Sequence, residues 1–170
     1  MEDVMEKTNV ERLFEWLDQV TETIQLQHDE PYLDSLAITM DILYYEDIPE
    51  DYDEVLTHKL EGKLKEIEIS DFTMEDIRKA IQLAILKGMK DHTQPHHLMT
   101  PETVSLFIGY LADKLMMKQK HIRLFDPVCG TGQLLTAVMN HLKDKEVDTF
   151  GSEIDPTLIK IASLSANLQK

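Results

Sequence analysis

With one cysteine in the chain, Cys129, an internal disulfide is excluded. Long apolar runs are missing too. None approaches the ~20 residues that cross a bilayer, and the opening Met1-Glu2-Asp3-Val4-Met5-Glu6 is too acidic and polar to begin a secretory signal. The expectation is a cytoplasmic protein without a membrane partner. Bases are scarce: 17 Lys and Arg stand against 32 Asp and Glu, a formal net charge of −15. The positive footprint by which a chain grips nucleic acid is therefore absent. Proline never occurs twice in succession, and glycine occurs only 6 times, so two glycines one residue apart stand out.

The charge deficit is uneven. Residues 1–98 hold 24 acids and 9 bases, whereas residues 99–170 hold 8 of each. This shift places a boundary near residue 95, with an acidic region over 1–95 and a different unit over 96–170. A length of 170 residues suits one domain with a real core, or a small domain and part of another.

The acidic region reads as helices. Leu13, Phe14, Trp16, Leu17, Val20 and Ile24 recur at helical spacing between Asn9 and about Gln27. A second helix follows Pro31, carries Leu33, Leu36, Ile38, Met40 and Leu43, and stops at Tyr44-Tyr45 before Pro49. Within residues 50–69, Leu56, Leu60, Leu64 and Ile67 suggest a third, weakened by Gly62. Thr73, with Glu75 and Asp76 behind it, opens a fourth whose apolar face is Ile77, Ile81, Ala84, Ile85 and Met89, with Gly88 near its end. Residues 91–101 break the periodicity as a linker. Its His92, His96 and His97 lack the cysteine or spaced acid that would complete a metal site, so no metal is expected. A fifth helix runs from Thr100-Pro101-Glu102 to about Met117, with Thr100 as cap, Pro101 in the first turn, and Val104, Leu106, Phe107, Leu111 and Leu115 as core face.

The most informative stretch is Arg123-Leu124-Phe125-Asp126-Pro127-Val128-Cys129-Gly130-Thr131-Gly132-Gln133-Leu134-Leu135. A short apolar run (Ile122–Phe125) ends in an aspartate, turns through two glycines and continues as a helix with Leu134, Leu135, Val138 and Leu142 inward. Gly130 and Gly132 supply positive backbone torsions and leave no Cβ where a ligand must approach the main chain. Leu135 occupies the place of the third glycine of a dinucleotide fingerprint, so the pattern fits a nicotinamide cofactor poorly. It fits a turn over a nucleoside without a pyrophosphate. Val147-Asp148-Thr149-Phe150-Gly151-Ser152-Glu153 reads as the next strand, with Glu153 at its end, about 20 residues beyond the glycines, where a doubly wound fold places the acceptor for two ribose hydroxyls. Asp155-Pro156 then caps a last helix reaching Leu168. The fold class is α/β, with a helical N-terminal region ahead of a Rossmann-like unit.

Three segments together, Met99-Thr100-Pro101, Asp126-Pro127-Val128-Cys129-Gly130-Thr131-Gly132 and Gly151-Ser152-Glu153-Ile154-Asp155-Pro156, resemble successive motifs of the S-adenosylmethionine-dependent N6-adenine DNA methyltransferases, in particular the modification subunits of type I restriction systems. The resemblance covers about residues 92–170. It implies the first part of a class I methyltransferase fold and S-adenosylmethionine as cofactor. Thr100 and Pro101 would lie against the methionine end, Asp126, Cys129, Gly130 and Gly132 would line methionine and ribose, Glu153 would bind the ribose hydroxyls, and Ile154 would pack on adenine. Plain structural jobs are also open to three of these: Thr100 as a helix cap, Cys129 as a small core residue, Ile154 as a core apolar.

The family's later Asn/Asp-Pro-Pro-aromatic motif, which accepts the amine's hydrogens while the aromatic stacks on a flipped base, has no counterpart here. Glu30-Pro31-Tyr32 only looks like it, ahead of the first strand and with one proline. No catalytic residue is therefore assigned in this chain. Two strands are too few for a doubly wound sheet, so the chain is expected to be an N-terminal portion that transfers no methyl group alone, with DNA contacted through regions outside it. The alternatives are a non-catalytic cofactor- or protein-binding module, with the acidic helices as a docking surface for a protein partner, and, more weakly, a nicotinamide oxidoreductase.

Overall fold

The computed structural model describes residues 7–91 and 99–170. The order is α1 (Asn9–His28), α2 (Tyr32–Tyr45), α3 (Glu54–Leu64), a 3-10 turn (Ile69–Asp71), α4 (Met74–Asp91), α5 (Glu102–Leu115), β1 (His121–Asp126), α6 (Gln133–His141), β2 (Glu146–Gly151) and α7 (Pro156–Leu168). An N-terminal helical domain is thus followed by helices and parallel strands. The three linker histidines, His92, His96 and His97, lie outside the described residues.

Local chemistry explains most starts and stops. Thr8 opens α1 through a reciprocal pair: its hydroxyl accepts from the Glu11 amide at 3.2 Å, while Glu11 accepts from the Thr8 amide at 2.8 Å. Thr73 and Asp76 make the same exchange at the head of α4, at 3.1 and 3.0 Å. The third helix ends at Leu64, so Ile67 falls beyond it and packs from the turn that follows.

The helices form a layer around Leu13, Leu17, Ile24, Leu36, Met40, Ile81 and Ile85, each at most 1% exposed. Asp18 on α1 ties two neighbours to itself, accepting from the Tyr32 hydroxyl at 2.7 Å and from Lys87 at 2.6 Å. Gly88 is not a terminator. A Cβ there would come within 2.7 Å of both Leu33 and Tyr32, so its role is the close approach of α4 to α2. The same core continues into Leu158, Ile161, Leu164 and Leu168 of α7. Lys160 pairs with Asp41 at 2.9 Å, and the Thr157 hydroxyl donates to Asp34. The helical half therefore packs directly on the last helix of the α/β half.

The two strands are parallel, paired from His121 with Glu146 to Asp126 with Gly151, and α6 is the crossover between them. Ile122, Val138 and Leu142 are buried between sheet and helix, while Phe125 and Phe150 face outward, 67% and 45% exposed. Both strands begin one residue before the sequence expectation, and β2 ends at Gly151, two residues before Glu153.

The expected core face of α5 is corrected. Val104, Leu106, Phe107, Leu111 and Leu115 are all at least 40% exposed, and the buried positions are Ser105 and Gly109. At Gly109 a Cβ would meet His141 of α6 at 3.0 Å, so the two helices touch along small residues and the bulky ones point away. Its cap differs as well. Helix α5 starts at Glu102, Pro101 occupies the N-cap position and no side chain caps it, which leaves the Thr100 hydroxyl uncommitted to capping.

Candidate functional site

The site grows out of the ladder between β1 and β2. Past the last paired residues the strands keep exchanging bonds: the Ser152 amide donates to the Asp126 carbonyl at 3.0 Å, and the Cys129 amide donates to the Ser152 carbonyl at 3.0 Å. This carries Glu153 up beside the glycine turn, where its Oε2 accepts from the Gly130 amide at 3.0 Å. Its Oε1 accepts from the amides of Ile154 and Asp155 at 2.7 and 3.1 Å. These backbone donors, led by Asp155, hold the Glu153 carboxyl below its ordinary pKa. Asp126 closes the turn, its Oδ1 accepting from the Val128 amide at 3.0 Å.

A cleft of about 420 Å³ opens over this arrangement, lined by Met89 of α4, by Met99 and Thr100, by Asp126, Val128 to Thr131, Gln133 and Leu134 of the turn and α6, and by Glu153, Ile154, Asp155 and Leu158. Six of the eight residues singled out from sequence meet there: Thr100, Asp126, Cys129, Gly130, Glu153 and Ile154. Pro101 and Gly132 are outside the lining. Gly130 has a φ of +53° and open space where its Cβ would be, whereas Gly132, at φ +76°, places its missing Cβ 2.9 Å from Ala162. The first glycine leaves room in the cleft; the second lets α6 press against α7.

Two plain structural roles disappear. Thr100 is not the cap of α5, and Ile154, 98% exposed, is not a core residue but an apolar lip on the cleft. The third holds: Cys129 is 7% exposed, and a Cβ on Gly151 would lie 2.7 Å from its Sγ. Burial, with Asp126 and Glu153 nearby, pushes the Cys129 thiol up, so it stays a neutral packing group rather than a nucleophile. Likewise Tyr32 of the lookalike triplet is 2% exposed, sealed between helices.

Sequence reasoning missed Met89 and Gln133, and named Met99 only as part of the Met99-Thr100-Pro101 segment. Gln133, 5% exposed, lines the cleft with neither amide atom hydrogen-bonded. A second groove of about 330 Å³ lies behind the turn, against Ala162, Ser163 and Asn167. Its lining contains no Asp or Glu, so Glu153 and the open Gly130 belong to the first cleft.

This geometry agrees with what the chain resembles. Residues 11–89 match the model of the YtxK N-terminal helical domain, and residues 89–170 match that of the N-6 DNA methylases. The uncharacterized protein YtxK of Bacillus subtilis (strain 168) is 39% identical over 98% of this chain and 51% of its own length. A solved structure from Listeria monocytogenes, described as a candidate class I S-adenosylmethionine-dependent methyltransferase, superposes with a TM-score of 0.86 at 35% identity, over 95% of this chain and 50% of that one. The chain spans about half the length of both. Two strands joined by a crossover helix, with an acid just past the second strand beside a glycine turn, match half of a class I methyltransferase structure, and residues 89–170 carry an N-6 DNA methylase domain match behind a YtxK-type N-terminal helical domain.

Proposed function

We propose that the cleft binds S-adenosylmethionine and that the protein is a methyltransferase of the N6-adenine type acting on DNA in the cytoplasm. The observation that carries this is the Glu153 carboxylate bonded to the Gly130 amide beside the exposed Ile154. A carboxylate has about four lone-pair sites. Three backbone amides take Glu153 sites, which leaves acceptor capacity for a ribose hydroxyl. The bare Cα of Gly130 leaves room beside it, and Ile154 offers an apolar surface for a purine ring.

Charge favours the same ligand. Asp126, Glu153 and Asp155 line the cleft, and among its described lining residues there is no Lys or Arg. That suits a cationic sulfonium and works against the pyrophosphate of a nicotinamide dinucleotide. When bound, the cofactor would supply the methyl group on that sulfonium, an amine nitrogen bonding to the methyl carbon in line as the C–S bond breaks, S-adenosylhomocysteine leaves and the amine proton is lost. The cleft residues orient and hold it. The groups that would receive the amine and contact DNA are assigned outside this chain, because no Pro-Pro motif occurs in it.

That missing motif also favours a second reading: a non-catalytic module that keeps the cofactor cleft, with the acidic helices docking a protein partner. Thermal-shift titration checks the cofactor. Saturating S-adenosylmethionine is expected to stabilise the protein by about 2–3 kcal/mol at 100-fold above its Kd, with NAD giving no shift and Glu153→Ala losing most of the response. A shift with NAD alone would overturn the assignment. Labelled methyl transfer to adenine by the full-length protein then separates enzyme from module.

A further inference from the structure

Gln133 is the first residue of α6, directly after Gly132, and it lies in the lining of the cleft. It is 5% exposed, and both its Oε1 and its Nε2 are buried without a hydrogen-bond partner. Its neighbours do not relieve it. The Thr136 hydroxyl is turned to the Gly132 and Gln133 carbonyls, and the Asn140 amide donates to Gln169. Buried polar groups in native proteins are nearly always paired, because one left unpaired keeps its full desolvation cost. An unpartnered buried amide on a residue that lines a cleft is therefore a group awaiting a partner.

The position narrows the partner. The first turn of α6 carries unpaired backbone N–H groups and no acidic side chain, a setting that favours a negative group. Asp126 and Glu153 on the same cleft favour a positive one. A primary amide presents an acceptor and two donors side by side, so it can serve both at once. A zwitterionic α-amino acid has both. A bare phosphate uses only the donors.

We propose that Gln133 binds the α-amino-acid end of the sulfonium nucleoside, its Oε1 accepting from the ammonium and its Nε2 donating to the carboxylate, an assignment that rests on the S-adenosylmethionine reading of the cleft. Thr100, whose hydroxyl is not used as a helix cap, faces the same space.

Calorimetry on the full-length protein tests this with two ligands: S-adenosylhomocysteine, and 5′-methylthioadenosine, which keeps the nucleoside and thioether but lacks the amino-acid end. The variant Gln133→Leu is expected to weaken S-adenosylhomocysteine about tenfold or more, to leave methylthioadenosine unchanged, and to melt higher than the wild type without ligand, because an unpaired amide has been removed. Gln133→Glu, which keeps the length but replaces the donor with a charge, is expected to show the same selective loss. Equal losses for both ligands, no loss for either, or a lower ligand-free melting point in Gln133→Leu would overturn the role of Gln133 while leaving the cofactor in place. Failure of the wild type to bind either ligand would instead remove the cofactor reading itself.

Discussion

Glu153 shows how one side chain can shape a site and serve it. Its carboxylate gathers three backbone amides from two segments that meet only when β1 and β2 pair. Because those bonds form with the ionised carboxylate, its native pKa lies below the ordinary glutamate value. A group whose pKa is depressed by folding stabilises the native state above its unfolded pKa and loses that contribution as pH falls through the lower native value. Glu153 is only partly buried, which keeps the effect modest. Melting temperatures of the wild type and of Glu153→Gln, compared across pH, are expected to differ most at neutral pH. The gap should persist down to the ordinary glutamate pKa and close below it. A gap that widened in acid would mean the charged form is not what the turn holds.

At the scale of elements, Arg78 on α4 fastens the helical half to α5. Its side chain is 2% exposed and pairs with Glu75 at 2.7 Å and with Glu102, the first residue of α5, at 2.8 Å. The two acids are 43% and 41% exposed. The asymmetry predicts an order of costs. Replacing both acids, Glu75→Gln with Glu102→Gln, strands a buried guanidinium and should cost roughly 3–5 kcal/mol. Replacing the arginine, Arg78→Leu, leaves carboxylates that water can reach, and should cost less. Urea denaturation measures both, and equal or reversed costs would contradict the burial argument. Elements were legible in the sequence wherever the signal is local: Thr73 with Asp76, and Asp155 with Pro156, mark helix starts within four residues of chain. The buried face of α5 was not, because small residues meeting His141 decide it across 32 positions of chain. Nor was the role of Gly132, whose contact is Ala162. Gln133 gave no warning, since a glutamine at the start of a helix reads as an ordinary surface residue until its surroundings are known.

At the scale of the molecule, the cleft belongs to neither half alone. Met89 comes from α4, Met99 and Thr100 from the approach to α5, the turn from the end of β1, and Glu153 to Leu158 from the passage into α7. One continuous core joins α7 to the helical layer, so a ligand here would bear on both. The α/β pattern and the acid beyond the paired glycines were readable from sequence because strand, turn, helix and strand follow one another without interruption. The contribution of the helical layer was not, because Met89 looks like any other residue of the apolar face of α4. A crystal structure of the full-length protein with S-adenosylhomocysteine decides the matter most directly. The ribose hydroxyls should lie within hydrogen-bonding distance of Glu153, with the adenine on Ile154 and the turn of Gly130 against the ligand. A nucleoside bound instead in the groove beside Ala162 and Asn167, or no bound ligand at saturating concentration, would contradict it.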